Sequence, residues 1–328
     1  MNKRPIFVLG LHKSGTSMLR SLLDSHPDLF SIPIETHFFQ LMKYWVRYDY
    51  RKQQPGKMSR EQIISGLDQW LKVYNNSTDR YADAVNKGFF DLKRFHQYLQ
   101  ELPEHCSHKE IMEKYYQGIY YALYNEELPE KIRIVEKSVE NAEFAAELAN
   151  MYPDAKFLHI IRNPYANMVS FRKYKSIVTG YPLINRIINS FYNDYYYLYK
   201  NLNLLDNYFV ISYEKLVSQP RKEMNRIAEY LDIPFDSVLL NPTHLGESWG
   251  GNSMTDQSFN GIDSSRLQAW KGEIHPLEIY YLNKLFPFIF RDFGYEQLPD
   301  RRGRLLPAKG ENLKRYIYNR LYAIYWKI

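Results

Sequence analysis

Residues 4–38 read RPIFVLGLHKSGTSMLRSLLDSHPDLFSIPIETHF, and this stretch decides the fold. Ile6-Phe7-Val8-Leu9 is a bulky apolar run of the kind that forms a strand buried on both faces. Gly10 ends it. A turn of small and hydroxyl residues follows, Leu11-His12-Lys13-Ser14-Gly15-Thr16-Ser17, and then Met18, Leu19, Leu22 and Leu23 recur at helical spacing. The spacing predicts a helix starting near Gly15. A helix start exposes unpaired N–H groups and the positive end of the helix dipole, and both attract an anion. Gly15 lets the backbone come close to that anion. Lys13 adds full charge, and Ser14, Thr16 and Ser17 add hydroxyl donors. The turn therefore reads as a phosphate or sulfate cradle, the plainer alternative being a small-residue strand-to-helix turn. It departs from the nucleotide-triphosphate pattern, in which Lys directly follows the last Gly and a Ser or Thr then holds magnesium. Here Lys13 precedes Gly15.

Outward from this stretch, Leu29 to Ile34 reads as a second short strand that delivers Glu35, Thr36 and His37 to its end. Ligands of open α/β sheets bind at the carboxyl ends of strands, so Glu35 falls near the cradle. An acid there either has a chemical task or pairs with a neighbouring Lys or Arg. The α/β pattern resumes at Ile132–Val135, a strand ending in Glu136-Lys137-Ser138, with a helix expected from Asn141. Lys156–Ile161 is a further strand, closed by Arg162. Asn163-Pro164 starts the next helix, with Pro where its missing N–H costs little. Ser170 lies two turns in. Arg162 and Ser170 can bracket a second anion; the alternative is that Arg162 pairs with a sheet-end carboxylate. Tyr208–Ile211 is another strand, ending in Ser212-Tyr213-Glu214.

The remaining chain is helical or irregular. Residues 39–130 mix aromatic and charged residues at helical spacing and read as an insertion forming a substrate wall. A tyrosine-rich helix is expected from about Leu183 to Leu205. Residues 241–263 form a Gly/Asn/Ser-rich loop of a length usually reserved for function. The basic tail from 300 to 328 carries an apolar stripe, Ile317, Leu321, Ile324 and Ile328, which is expected to dock on the domain; contact with a membrane surface is the alternative. The expected fold is a single α/β domain over 1–328: a P-loop-like parallel sheet flanked by helices, with a helical insertion and an all-helical C-terminal part.

Composition bounds the function. The net charge of +6 suits anionic ligands without implying nucleic acid. A single cysteine, Cys106, rules out an internal disulfide and a cysteine-based metal site. The nine histidines lack zinc-site spacing, and no metal is expected. No apolar run reaches transmembrane length and no signal peptide is evident. The expectation is a soluble cytoplasmic protein, peripheral to a membrane at most.

These blocks, in this order, resemble the sulfotransferase family, nearest to its tyrosylprotein-sulfotransferase-like branch. The resemblance implies that Lys13-Ser14-Gly15-Thr16-Ser17 holds the 5′-phosphate and sulfate of 3′-phosphoadenosine 5′-phosphosulfate (PAPS). It implies that Arg162 and Ser170 hold the 3′-phosphate and that Tyr213 approaches the nucleotide. Ser253 to Gln257, with Trp270 downstream, is similar to the loop that closes over the adenosine and the 3′-phosphate. Glu35 matches the general base and Lys137 a lysine near the transferred group; His37 is the competing base, since some sulfotransferases use His. The branch often has Arg at position 13. Tyr174 stands where a second basic residue is expected, with Arg172 and Lys173 adjacent. Ala269 stands where a lysine is expected before Trp270, with Arg266 or Lys271 as substitutes. The implied activity is sulfuryl transfer to a hydroxyl of a peptide tyrosine, sugar, lipid or small metabolite. An ATP-dependent small-molecule kinase and a non-catalytic anion-binding or partner-binding protein are the competing classes.

Overall fold

The computed structural model describes residues 4–44, 58–76, 88–252, 261–265, 267–300 and 303–325. Five strands, β1 (Ile6–Leu9), β2 (Leu29–Ser31), β3 (Arg133–Lys137), β4 (Lys156–Ile161) and β5 (Tyr208–Ser212), form one sheet in the order β2-β3-β1-β4-β5. Every pairing is parallel, and β1 sits at the centre, with Ile6 opposite Val135 on one side and Lys156 on the other. The central strands are apolar on both faces because both faces are covered. Alternate residues diverge: Phe7 and Leu9 enter one core cluster, while Ile6 and Val8 enter another.

The second cluster is packed by α1 (Thr16–Leu23) through Leu19, Leu22 and Leu23. The first is built by helices that interrupt the sheet pattern. Between β2 and β3 lie α2 (Phe38–Leu41), α3 (Arg60–Asn75), α4 (Leu92–Leu99) and α5 (His108–Tyr124). Their starts are written locally. Ser59 with Gln62, and Ser107 with Glu110, form reciprocal capping boxes, and Asp91 caps α4. Beyond β3, α6 (Ala145–Met151) precedes β4, and α7 (Pro164–Thr179) and α8 (Ile184–Leu204) precede β5. Asn163 caps α7 with Pro164 at its first position, as the sequence predicts. After β5 come α9 (Tyr213–Ser218) and α10 (Pro220–Leu231), and α10 joins the second core cluster through Met224, Ile227 and Leu231. A two-residue hairpin, β6 (Thr243–His244) with β7 (Glu247–Ser248), opens the loop after it. The C-terminal part is helical: α11 (Pro276–Leu285), α12 (Pro287–Phe293) and α13 (Leu313–Tyr325).

Three local expectations differ from the structure. β2 stops at Ser31, short of Ile34. Asn141 does not cap a helix; it lies within a 3₁₀ segment, Val139–Phe144, and its amide bonds buried Glu136 instead. The stripe of α13 is turned the other way. Ile317 and Leu321 are exposed, while Asn319 and Tyr322 form the docked face. Asn319 is fully buried, bonding the Ile184 N–H and the Pro182 carbonyl, so polar pairing and one aromatic ring seat this helix. The side chain of Ile324, and Ile328, lie outside the described residues.

Candidate active site

The strand ends bring the predicted residues to one edge of the sheet. In the β1–α1 turn, Lys13 adopts a left-handed backbone (φ 64°) and Gly15 has φ 115°. A Cβ on Gly15 would lie 2.4 Å from Tyr213 Cδ2, so both the dihedral and the approach of Tyr213 require glycine. Two loop carbonyls are tied back. Arg162 donates to the Lys13 carbonyl at 3.0 Å, and Asn167 on α7 donates to the His12 carbonyl at 2.8 Å. Among the described residues no side-chain hydrogen bond caps α1 at Gly15, and a helix start of this kind favours an anion.

A cleft of about 190 Å³ opens against this turn. Lys13, Gly15, Thr16 and Ser17 line one side; Arg162, Ser170 and Tyr213 line another. Trp270 closes a third, stacked on Tyr165 at 5.4 Å between centroids. The guanidinium of Arg162 lies over the Tyr213 ring at 4.4 Å. Its Nε is buried and has no hydrogen-bond partner among the described residues, and no described carboxylate pairs with it. The ammonium of Lys13 reaches the Asn252 carbonyl at 3.4 Å and sits 4.9 Å over the Tyr174 ring. Glu214, next in sequence to Tyr213, accepts from the N–H of Asn163, next to Arg162, and from the Tyr295 hydroxyl, and so ties the two strand ends together.

Glu35 and Lys137 do not line this cleft. They belong to a polar cluster on the neighbouring strand ends. Lys137, almost wholly buried, donates to Glu35 Oε1. His37 lies between two carboxylates, its Nε2 3.3 Å from Glu35 Oε2 and its Nδ1 3.3 Å from Glu140 Oε2. Burial alone would depress His37, but Glu140 and Glu35 outweigh it and raise its pKa to about 10. Burial would raise Glu35, yet Lys137 above all, then His37, hold its carboxyl well below the usual carboxylate range. His12, next to Lys13 in the loop, is pushed down by burial and feels the charges of Glu140, Glu35 and Lys137. It links cluster and cleft. The cluster is also braced from behind. Buried Glu136 accepts from Thr36, Ser138 and Asn141. The Trp70 indole of α3 donates to the Glu35 carbonyl at 3.0 Å.

The structure thus gathers Lys13, Gly15, Thr16, Ser17, Arg162, Ser170 and Tyr213 into one cleft. Ser14 stands apart from this set: it is turned inward, its hydroxyl buried and without a partner among the described residues, and it does not line the cleft. Ser253 and Arg266 lie outside the described residues. Lys271 is exposed and off the cleft. The basic residue beside Ser170 on the cleft is Lys173, one helical turn on, held by Glu273 at 2.6 Å. Its sequence signal was the i, i+3 spacing from Ser170. Arg172 points away, to Glu278 at 2.7 Å. Glu140 and Trp70 carried no signal in the sequence. Among the described residues, Glu35, His37 and Glu140 also form a trio whose ligand atoms lie within 4.8 Å of one another. Lys137 already supplies a cation at one of those carboxylates.

A parallel sheet with a glycine-bearing turn after its central strand, faced by a basic strand end and a serine-bearing helix, defines a P-loop-like fold. Residues 5–237 match the model of the Sulfotransferase family, and the chain belongs to that family. It is 25% identical to protein-tyrosine sulfotransferase 1 of Danio rerio, covering 94% of this chain and 78% of that protein. It is 23% identical to protein-tyrosine sulfotransferase A of Caenorhabditis elegans, covering 89% and 67%. Among solved structures, the fold is similar to the sulfotransferase domain of the curacin biosynthetic pathway (TM-score 0.59, 19% identity, covering 90% of this chain and 99% of that one). It is also similar to the sulfotransferase domain of the Synechococcus PCC 7002 olefin synthase (TM-score 0.55, 20% identity, covering 91% and 96%). The protein is a sulfotransferase, and the kinase reading falls away.

Proposed function

We propose that the protein moves the sulfuryl group of PAPS to an acceptor hydroxyl by in-line displacement. The observation that carries this reading is the single cleft joining the β1–α1 turn to Arg162, Ser170 and Lys173. Such a cleft offers the cationic and hydroxyl groups of Lys13, Thr16, Ser17, Arg162, Ser170 and Lys173 to a doubly phosphorylated adenosine, with Trp270 as an aromatic wall. Lys13 and the N–H groups of α1 stabilise charge on the departing 5′-phosphate. Arg162, Ser170 and Lys173 hold the 3′-phosphate.

Glu35 is the general base. It takes the acceptor's hydroxyl proton as that oxygen bonds to sulfur and the bond from sulfur to the 5′-phosphate oxygen breaks, leaving adenosine 3′,5′-bisphosphate. His37 is the weaker candidate: a ring raised to about 10 is protonated at neutral pH, and both its nitrogens face carboxylates. Glu35 bound to Lys137 is a poor base, because the ammonium stabilises its charged form. When sulfuryl oxygens draw Lys137 away, Glu35 becomes more basic at the moment it is needed. The tyrosylprotein relatives support a hydroxyl acceptor, phenolic in their case. The reading needs no metal, since Lys13, Lys137 and Arg162 provide the positive charge.

Titration calorimetry with adenosine 3′,5′-bisphosphate tests it. Binding without added magnesium, weakened in Arg162→Ala, is the expected outcome. Equal affinity for adenosine 5′-phosphate would remove the 3′-phosphate site from the scheme.

A further inference from the structure

We propose that the outer face of α13 and the adjoining turn at 303–306 rests on an anionic lipid surface. The helix is inverted relative to an ordinary surface helix. Its docked side holds Asn319 and Tyr322, while Leu313, Ile317 and Leu321, spaced four apart, are 73%, 48% and 54% exposed. The turn beside it adds Leu305 and Leu306, 64% and 65% exposed. That turn is fastened to the helix, because Tyr316 donates its hydroxyl to the Leu305 carbonyl at 2.7 Å and Arg320 donates to the Leu306 carbonyl. The five apolar side chains therefore belong to one region built by the fold.

Charge selects the occupant. Residues 301–328 hold eight Lys and Arg against one Glu, a net +7, while the whole chain carries +6, so the 300 residues before them carry −1. The one acid, Glu311, is buried against Arg320 and Asn319. Lys309 and Lys314 flank the apolar stripe and are exposed. A second copy of this face would bring like charges together. A nucleic acid would leave the leucines in water. Apolar side chains among cations match the acyl boundary and headgroups of an anionic bilayer, where the two contributions reinforce each other.

The test is flotation of the full-length protein with vesicles of phosphatidylcholine alone, or containing about one-quarter phosphatidylserine, a charge fraction typical of anionic leaflets. Binding to the anionic vesicles is expected, weaker by about tenfold on phosphatidylcholine and in raised salt. The L313E/I317E/L321E variant should lose at least about tenfold in partitioning while keeping its circular dichroism and its affinity for adenosine 3′,5′-bisphosphate. K309E/K314E, which leaves the stripe intact, should lose binding to anionic vesicles only. No partitioning by the wild type, or equal partitioning by all three proteins, overturns the proposal. So does sedimentation showing that the stripe variant abolishes self-association while neither protein floats.

Discussion

The phosphate cleft and the carboxylate cluster stand on adjacent strand ends, yet they manage charge in opposite ways. In the cleft, Arg162 meets a backbone carbonyl and an aromatic ring, and its Nε has no partner among the described residues. In the cluster, two carboxylates face two cations: Lys137 on Glu35, and His37 between Glu35 and Glu140. Arg162 thus faces no described carboxylate, while Lys173 beside it is paired with Glu273. The cluster is close to neutral at rest, and in the proposed mechanism Glu35 gains basicity only as Lys137 leaves it. The proposed mechanism therefore expects binding and chemistry to separate by mutation.

The largest separation is expected at Glu35. Glu35→Gln should lower the single-turnover rate by about 10²–10⁴, the usual worth of a general base, with affinity for adenosine 3′,5′-bisphosphate nearly unchanged. A parallel loss of affinity would merge the two regions. Next comes Lys137→Met, expected to cost about 10²–10³ in rate by removing a fixed cation from the transferring group. It also has a pH signature. Lys137 lowers the Glu35 carboxyl, so its removal lets that carboxyl hold its proton at higher pH. The acid limb of the rate profile should move upward in pH; an unmoved limb would exclude Glu35 as the titrating base. Arg162→Ala should weaken binding of the bisphosphate by about 10–100-fold, the scale of a lost charge-assisted hydrogen bond. Lys173→Ala should cost less, because Glu273 already holds that ammonium. The smallest effect is on stability. Gly15→Ala forces a Cβ against Tyr213 at φ 115° and should destabilise by about 1–3 kcal/mol in urea unfolding. Adding Tyr213→Ala should recover only the steric part.

Much of the cleft was readable from the chain because its determinants are local. A strand run, a glycine, hydroxyls and a helical repeat lie within eighteen residues, and Arg162, Asn163-Pro164 and Ser170 follow the same strand-then-helix grammar. The parallel sheet followed from apolar runs ending in polar residues. What escaped was contact across long separations. His37 finds Glu140 through pairing of neighbouring strand ends, and Lys173 finds Glu273 a hundred residues away. Ser14 sits amid good donors, yet the turn directs it into the fold. Histidine spacing in the chain suggested no metal-binding geometry, but folding puts His37 between two carboxylates. The stripe on α13 was visible as a period, but periodicity does not say which side a helix buries, and Asn319 reversed the expectation.

The bond from the Trp70 indole to the Glu35 carbonyl has an evolutionary consequence. It joins the helices between β2 and β3 to the Glu35 main chain, and the same ring packs edge-on against His37 at 5.0 Å, so one indole steadies two residues of the cluster. Helices rebuilt around a new acceptor, with that one ring kept in place, would leave the Glu35–His37 arrangement undisturbed.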